Sequence, residues 1–271
     1  MLSDSNTLER PFNWKLTPTP RDIKLKGDML VWGPEGKAVK HSVPQQSDVG
    51  MLHWFLRLCW KNTPAEEILK FARKWGTLGL CRHSVPTLHC RCDTDNPNST
   101  PCRDLRLPTG ERFELLDTWR DCSRRARAIL RIASRLLQNK QGDFEDWRVL
   151  SPAIPGSFGK SRNTLIVERS SISDAIRWWW LKYGEVDLQL GWNVGKPSVY
   201  FSCNLIGLIG SQLMFAVGRS QGIAICTGCG FPYAPKRRPS PKRGSYCPPC
   251  RETAPTRESQ ARARGKKRES K

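Results

Sequence analysis

Apolar residues recur at helical spacing in four stretches of the chain. Ile68, Phe71, Ala72 and Trp75 fall at i, i+3, i+4 and i+7 and predict a helix. Ahead of them Thr63-Pro64-Ala65-Glu66 reads as an N-cap, a first-turn proline and a capping-box glutamate, and Gly76 ends the helix. The longest helix is predicted at about 111–138, where Leu115, Trp119, Cys122, Ala126, Ile129, Leu130, Ala133, Leu136 and Leu137 hold one face. Arg120, Arg124, Arg125, Arg127, Arg131 and Arg135 lie off that face and read as its solvated side. A third helix is predicted over 171–183, starting at Ser171-Ile172-Ser173-Asp174 and stopped by Gly184. Its inward face is Ile172, Ala175, Ile176, Trp179 and Tyr183, and the consecutive Trp178, Trp179 and Trp180 cannot all share it. The fourth, near 203–217, carries Leu205, Leu208, Ile209, Gln212, Leu213 and Ala216.

Strand signals are fewer. Met29-Leu30-Val31-Trp32 runs into the turn Gly33-Pro34-Glu35-Gly36, and Val186, Leu188 and Leu190 alternate with Asp187 and Gln189. Residues 139–164, with Gly142, Pro152, Pro155-Gly156 and Gly159, read as an irregular connector. No residue between Lys196 and Arg219 is charged, a length that could span a bilayer. Ser198, Ser202, Asn204, Ser211 and Gln212, with Pro197 at the start, instead favour a buried strand followed by a helix, and no membrane partner is expected. The expected fold class is therefore mainly α with minor β. It comprises an irregular segment at 1–44, a mainly helical domain at 45–220 with a Cys/His-rich loop at 80–108, a small zinc-ribbon or treble-clef-like module at 224–252, and a disordered basic tail at 253–271.

Composition sharpens this picture. Of 271 residues 38% are apolar, enough for a core, which excludes a fully disordered chain. Lys and Arg number 45 against 25 Asp and Glu, a formal charge of +20. The surplus is uneven: residues 219–271 hold fourteen Lys/Arg and three Glu. With no amphipathic apolar face beside it, that charge points to a nucleic acid rather than a membrane. Eleven cysteines, an odd number, and no secretory leader in the Met1-Leu2-Ser3-Asp4 start point to a reducing, cytoplasmic setting and to metal ligation.

Cys226-Thr-Gly-Cys229, seventeen residues, then Cys247-Pro-Pro-Cys250 is the strongest chemical signal in the chain. Two C-x2-C pairs aim four thiolates at one ion and fit a tetrahedral zinc site, with an iron–sulfur centre as the alternative of identical ligands. Four thiolates leave no open position for water, so this metal is structural. Gly228 and Gly230 suit the first knuckle, and Pro248 and Pro249 stiffen the second. Between the pairs lie Lys236, Arg237, Arg238, Lys242 and Arg243, interleaved with Phe231, Tyr233 and Tyr246, a combination suited to phosphates and stacked bases. A second Cys/His group, Cys81, His83, His89 and Cys102, with Cys90 or Cys92 as substitutes, offers a mixed zinc site whose spacing fits no common finger; packed core cysteines beside surface histidines are the competing reading.

At Phe71 to His83 and Cys226 to Cys250 the chain resembles a loose set of uncharacterised bacterial proteins that pair a helical region with a C-terminal four-cysteine finger. The finger is similar in layout to the CGNR-type fingers of stress-responsive bacterial transcription regulators. Arg251-Glu252 stands where that family has Gly-Asn-Arg, and its second cysteine pair is usually spaced more widely. The resemblance implies DNA binding by analogy. The expected function is thus a zinc-binding, nucleic-acid-binding protein, a bacterial DNA-binding transcription regulator whose helical domain senses or forms a homodimer. The alternative is a zinc-stabilised protein-interaction scaffold. G-x-S-x-G, H-E-x-x-H and G-x4-G-K-[ST] are all missing, and no enzymatic activity is expected.

Overall fold

The described elements start with three strands, β1 (Asn13–Leu16), β2 (Lys24–Lys26) and β3 (Met29–Trp32). There follow α1 (Val49–Arg57), α2 (Ala65–Trp75), β4 (Arg112–Leu115), α3 (Leu116–Leu136), α4 (Phe144–Leu150) and α5 (Thr164–Trp178). The last elements are β5 (Asp187–Asn193), β6 (Lys196–Cys203), α6 (Leu205–Val217), β7 (Ala224–Ile225) and β8 (Pro232–Tyr233). This computed structural model describes residues 13–16, 20, 22–33, 49–60, 62–79, 111–150, 164–179, 186–193, 196–220, 223–235 and 245–252. The architecture is mainly helical with short strands, as the apolar pattern predicts.

The strands form three small sheets, ordered β1-β6-β5, β2-β3-β4 and β7-β8. β1 runs parallel to β6, and every other pairing is antiparallel. Gly27, at φ 62°, makes the tight turn between β2 and β3. The Leu116 amide donates to Asp28 O at 2.8 Å, so that turn also anchors the start of α3.

α3 is the central helix, with α1, α2, α4, α5 and α6 packed around it. Trp119 is fully buried and meets Phe71 of α2 at 6.0 Å edge-on, while Phe71 meets Phe55 of α1 at 5.7 Å. Ser123 is buried between them: its hydroxyl donates to Phe55 O at 2.7 Å and accepts from the Cys59 amide at 3.0 Å. α6 is apolar nearly all round, as a helix enclosed by its neighbours must be. Its Asn204 N-cap accepts from the Gly207 amide, and Ser211 returns its hydroxyl to Gly207 O. The strand-then-helix reading of 196–219 holds, and no helix among the described residues is long and apolar enough to cross a membrane. One large core runs through the helical body and reaches the strands on either side of it. Ile23, Leu30 and Trp32 ahead of the helices, and Ile223 and Ile225 after them, belong to the same buried cluster as Trp119 and Leu213.

Several boundaries differ from the periodicity. The long helix starts at Leu116, because residues 112–115 pair with β3 instead of coiling. Arg125, read as solvated, is buried, and its guanidinium donates to Leu150 O at 3.0 Å. The capping box at Thr63 does not form. Pro64 takes the N-cap position with no side-chain bond, and the Thr63 hydroxyl donates to Arg57 O at 2.9 Å, closing the α1–α2 turn. α5 begins at Thr164, seven residues before the predicted start, and its Ile166 and Val167 are exposed. α1 has no forecast counterpart, and α4 lies inside the stretch read as irregular. Trp179 is buried as expected; Trp180, Tyr183 and Gly184 lie outside the described residues.

Candidate metal centre

The short hairpin β7–β8 carries the first cysteine pair at its turn. Ile225 reaches into the main core, which holds the hairpin's base, while Ala224 and Tyr233 pack with the cysteines on its other side. The Cys226 amide donates to Phe231 O at 2.8 Å and the Gly230 amide to Cys226 O at 2.8 Å, which folds Cys226–Cys229 into a knuckle. Gly230 turns the chain at φ 74°. Gly228 is needed for a different reason: a Cβ there would lie 3.2 Å from Cys250 Cβ and 3.3 Å from its sulfur.

The second pair comes from the start of a helical turn over 248–252, where the Arg251 amide donates to Cys247 O at 2.9 Å. Pro248 and Pro249 occupy the first positions of that turn, where an amide N–H would have no helical partner. They open a helix here, where the sequence suggested a second knuckle. Ser245 locks the two halves together. Its carbonyl accepts from the Thr227 amide at 2.7 Å, its amide donates to Thr227 Oγ1 at 3.0 Å, and its buried hydroxyl donates to Ile225 O at 3.3 Å.

These contacts bring the sulfurs of Cys226, Cys229, Cys247 and Cys250 within 4.8 Å of one another. Cys229 Sγ and Cys247 Sγ are 3.8 Å apart, far beyond disulfide bonding. A tetrahedral ion with metal–sulfur bonds of about 2.3 Å sets its sulfurs roughly 3.8 Å apart, so the spacing fits a four-thiolate metal. Electrostatics agree. Hydrogen bonding from Cys229, joined by the backbone amides of Cys247, Cys229 and Gly228, pushes the Cys226 thiol down to about 4 against the opposing effect of burial. The shared proton and burial push Cys229 up, and burial pushes Cys247 up to about 11. One thiolate is thus already favoured, and a bound cation supplies the charge that the others need to lose their protons. The four cysteines could hold a metal ion.

Two of the three remaining described cysteines, Cys122 and Cys203, differ. Burial alone pushes Cys203 up to about 12, and Cys122 is raised further by the same cause, so both stay protonated core residues. Cys81, His83, His89 and Cys102 lie outside the described residues, as do Lys236, Arg237, Arg238, Lys242 and Arg243 and the tail from 253.

Sequence reasoning missed a group beside the centre. The ring of Phe231, between the knuckle and β8, meets His53 of α1 at 4.7 Å and Trp60 at 6.5 Å. The Arg127 guanidinium of α3 lies over Phe231 at 5.5 Å and near Trp60 at 5.9 Å, and Arg57 lies over Trp60 at 5.0 Å. A signal existed: Trp60 closes the apolar run of α1 and is followed by the polar Lys61-Asn62-Thr63, where an indole is unexpected.

The fold and site therefore define a mainly helical protein with a built-in four-cysteine cluster that could hold a metal. Comparison with known proteins finds no matching family model, no matching curated protein and no matching solved structure, so the likeness to CGNR-type fingers rests on the cysteine layout alone.

Proposed function

We propose that the four cysteines hold zinc and that the protein binds nucleic acid through the basic segment framed by that metal, acting as a DNA-binding regulator of transcription. Zinc suits the donor set because its tetrahedral preference and affinity for thiolate need no redox partner. The observation that carries the reading is the placement of charge: Lys236, Arg237, Arg238, Lys242 and Arg243 all fall in the seventeen residues between the two cysteine pairs that the fold brings together. Metal-held ends restrict such a loop, so its cations are presented with less ordering cost on binding. The tail adds Arg257, Arg262, Arg264, Lys266, Lys267, Arg268 and Lys271, a polycation suited to non-specific phosphate contact. Duplex DNA is the favoured partner by analogy with the finger layout described above.

Two measurements test this. Metal analysis of the purified chain should give at least one equivalent of zinc, lost in Cys229→Ala and Cys247→Ala; iron in its place would reassign the centre. Binding to duplex DNA should follow salt, each phosphate contact contributing about −0.9 to the slope of log affinity against log salt. Removing residues 255–271 should flatten that slope for all sequences alike, whereas replacing Arg237 and Arg238 by Ala should reduce discrimination among them. A zinc-bearing chain that binds no nucleic acid at roughly 50 mM salt would leave the metal a purely architectural role in a protein-interaction scaffold.

A further inference from the structure

We infer that the surface joining α1, α3 and the knuckle is a second nucleic-acid contact, a stacking platform on which Trp60 takes an unpaired base while Arg57 and Arg127 face the flanking phosphates. The inference rests on the nucleic-acid reading above and names the form of the ligand, a single strand. Trp60 keeps 41% of its surface exposed, one of only a few large apolar side chains to do so among the described residues. Two guanidinium groups lie over or near its ring, at 5.0 Å for Arg57 and 5.9 Å for Arg127. Neither arginine makes an ion pair among the described residues, whereas Arg120, Arg124, Arg131 and Arg148 are each matched to a carboxylate. Glu67 and Asp146 feel the charges of Arg57 and Arg127 without closing an ion pair, so both guanidinium groups keep hydrogen-bonding capacity beside the indole.

The arrangement has the chemistry of single-strand binding. An aromatic face accepts any base by stacking, and an arginine beside it adds both cation–π attraction and a phosphate contact. A protein partner would favour a broader apolar patch around the tryptophan, but the groups against it here are Arg57, Arg127 and the single ring of Phe231. The platform is also continuous with the metal centre. Phe231 touches His53 and Trp60, and β8, which leads in sequence into Lys236, packs against α1. A strand held by the basic segment would therefore have a base-stacking site on the adjoining surface, available where a duplex is opened.

The test uses the full-length, metal-loaded chain and two labelled probes, an oligo(dT) of about twenty nucleotides and a duplex of equal length, followed by fluorescence anisotropy. Trp60→Ala should weaken oligo(dT) binding about tenfold while leaving the duplex affinity nearly unchanged, and Trp60→Phe should restore most of the loss. The exposed Arg57→Ala should lower the oligo(dT) salt slope by about 0.7, the share of one single-strand phosphate. Photo-crosslinking of an iodouracil-containing strand should map to Trp60 in the unmodified chain, which decides the matter even if Trp60→Ala proves unstable. Wild-type binding of both probes, with Trp60→Ala unchanged or the crosslink mapping elsewhere, would overturn this platform and leave the proposed function standing. A wild-type chain that binds neither probe would overturn both.

Discussion

Asp146 shows at single-residue scale how this core handles charge. Its carboxylate is buried beside Trp147, with Oδ2 3.1 Å from Arg131 Nε, inside ion-pair distance but too poorly aligned for a hydrogen bond. Burial pushes its pKa up, and the partly exposed Arg131 offsets only some of that. A raised carboxyl pKa means that the folded state holds the proton more tightly than the unfolded chain does. Its contribution is then most favourable at low pH and declines as pH rises from about 4 through the raised folded value. The stability of the wild type relative to Asp146→Asn should accordingly fall over that interval, measured by denaturant titration at several pH values. A difference that grows with pH would mean that the Arg131 pair outweighs burial. The cysteines follow the same logic with opposite outcomes: burial raises Cys203, while hydrogen bonds outweigh burial at Cys226 and lower it, and only the second kind of site prepares a metal ligand.

At the scale of elements, Gly142 decides how α4 and α5 close on α3. Its amide donates to the buried Glu168 at 2.7 Å, and a Cβ at this position would collide with Trp147 Nε1 and press on Ile132. Gly142→Ala should therefore destabilise the fold by about 1–3 kcal/mol, read as a lower denaturation midpoint and a more exposed Trp147. Elements with a long apolar stripe were legible in the sequence, because a face of six turns, as along α3, has few alternative explanations. α4 was not, since its seven residues bury only Asp146 and Trp147 and follow a glycine required by packing rather than by a turn. The junction of β4 and α3 also hid, because Leu115 ends the strand and caps the helix without a polar cap or a breaker to mark the change. The cysteine centre was readable because two C-x2-C pairs state their geometry locally. The aromatic and cationic group around Trp60 was not, because its members come from α1, α3 and the knuckle, residues 53 to 231. Only tertiary packing assembles it.

Across the whole molecule, the hairpin that carries the cysteine cluster is rooted in the helical body's hydrophobic core, and this makes metal a determinant of global stability. Ile223 and Ile225 are buried in the same cluster as the helices, and Phe231 packs against that cluster from the knuckle. The cysteines, by contrast, are surrounded mainly by Ala224, Tyr233 and Tyr246, too little apolar surface to fix the knuckle by itself. Without the ion, four thiols replace four thiolate–metal bonds and the hairpin loses its fastening. Loosening β7 and β8 would uncover part of at least one isoleucine and of Phe231, a loss of roughly 2 kcal/mol at the usual value for a large apolar side chain. For a chain of this length that corresponds to about 4–8 °C in the unfolding midpoint. Chelation should therefore lower the main calorimetric transition of the protein by that amount, and restoring one equivalent of zinc should return it. A main transition that stays fixed while a separate, small, metal-dependent step appears below it would show instead that the finger is an independent appendage, with Ile223 and Ile225 belonging to the body whether or not the knuckle is closed.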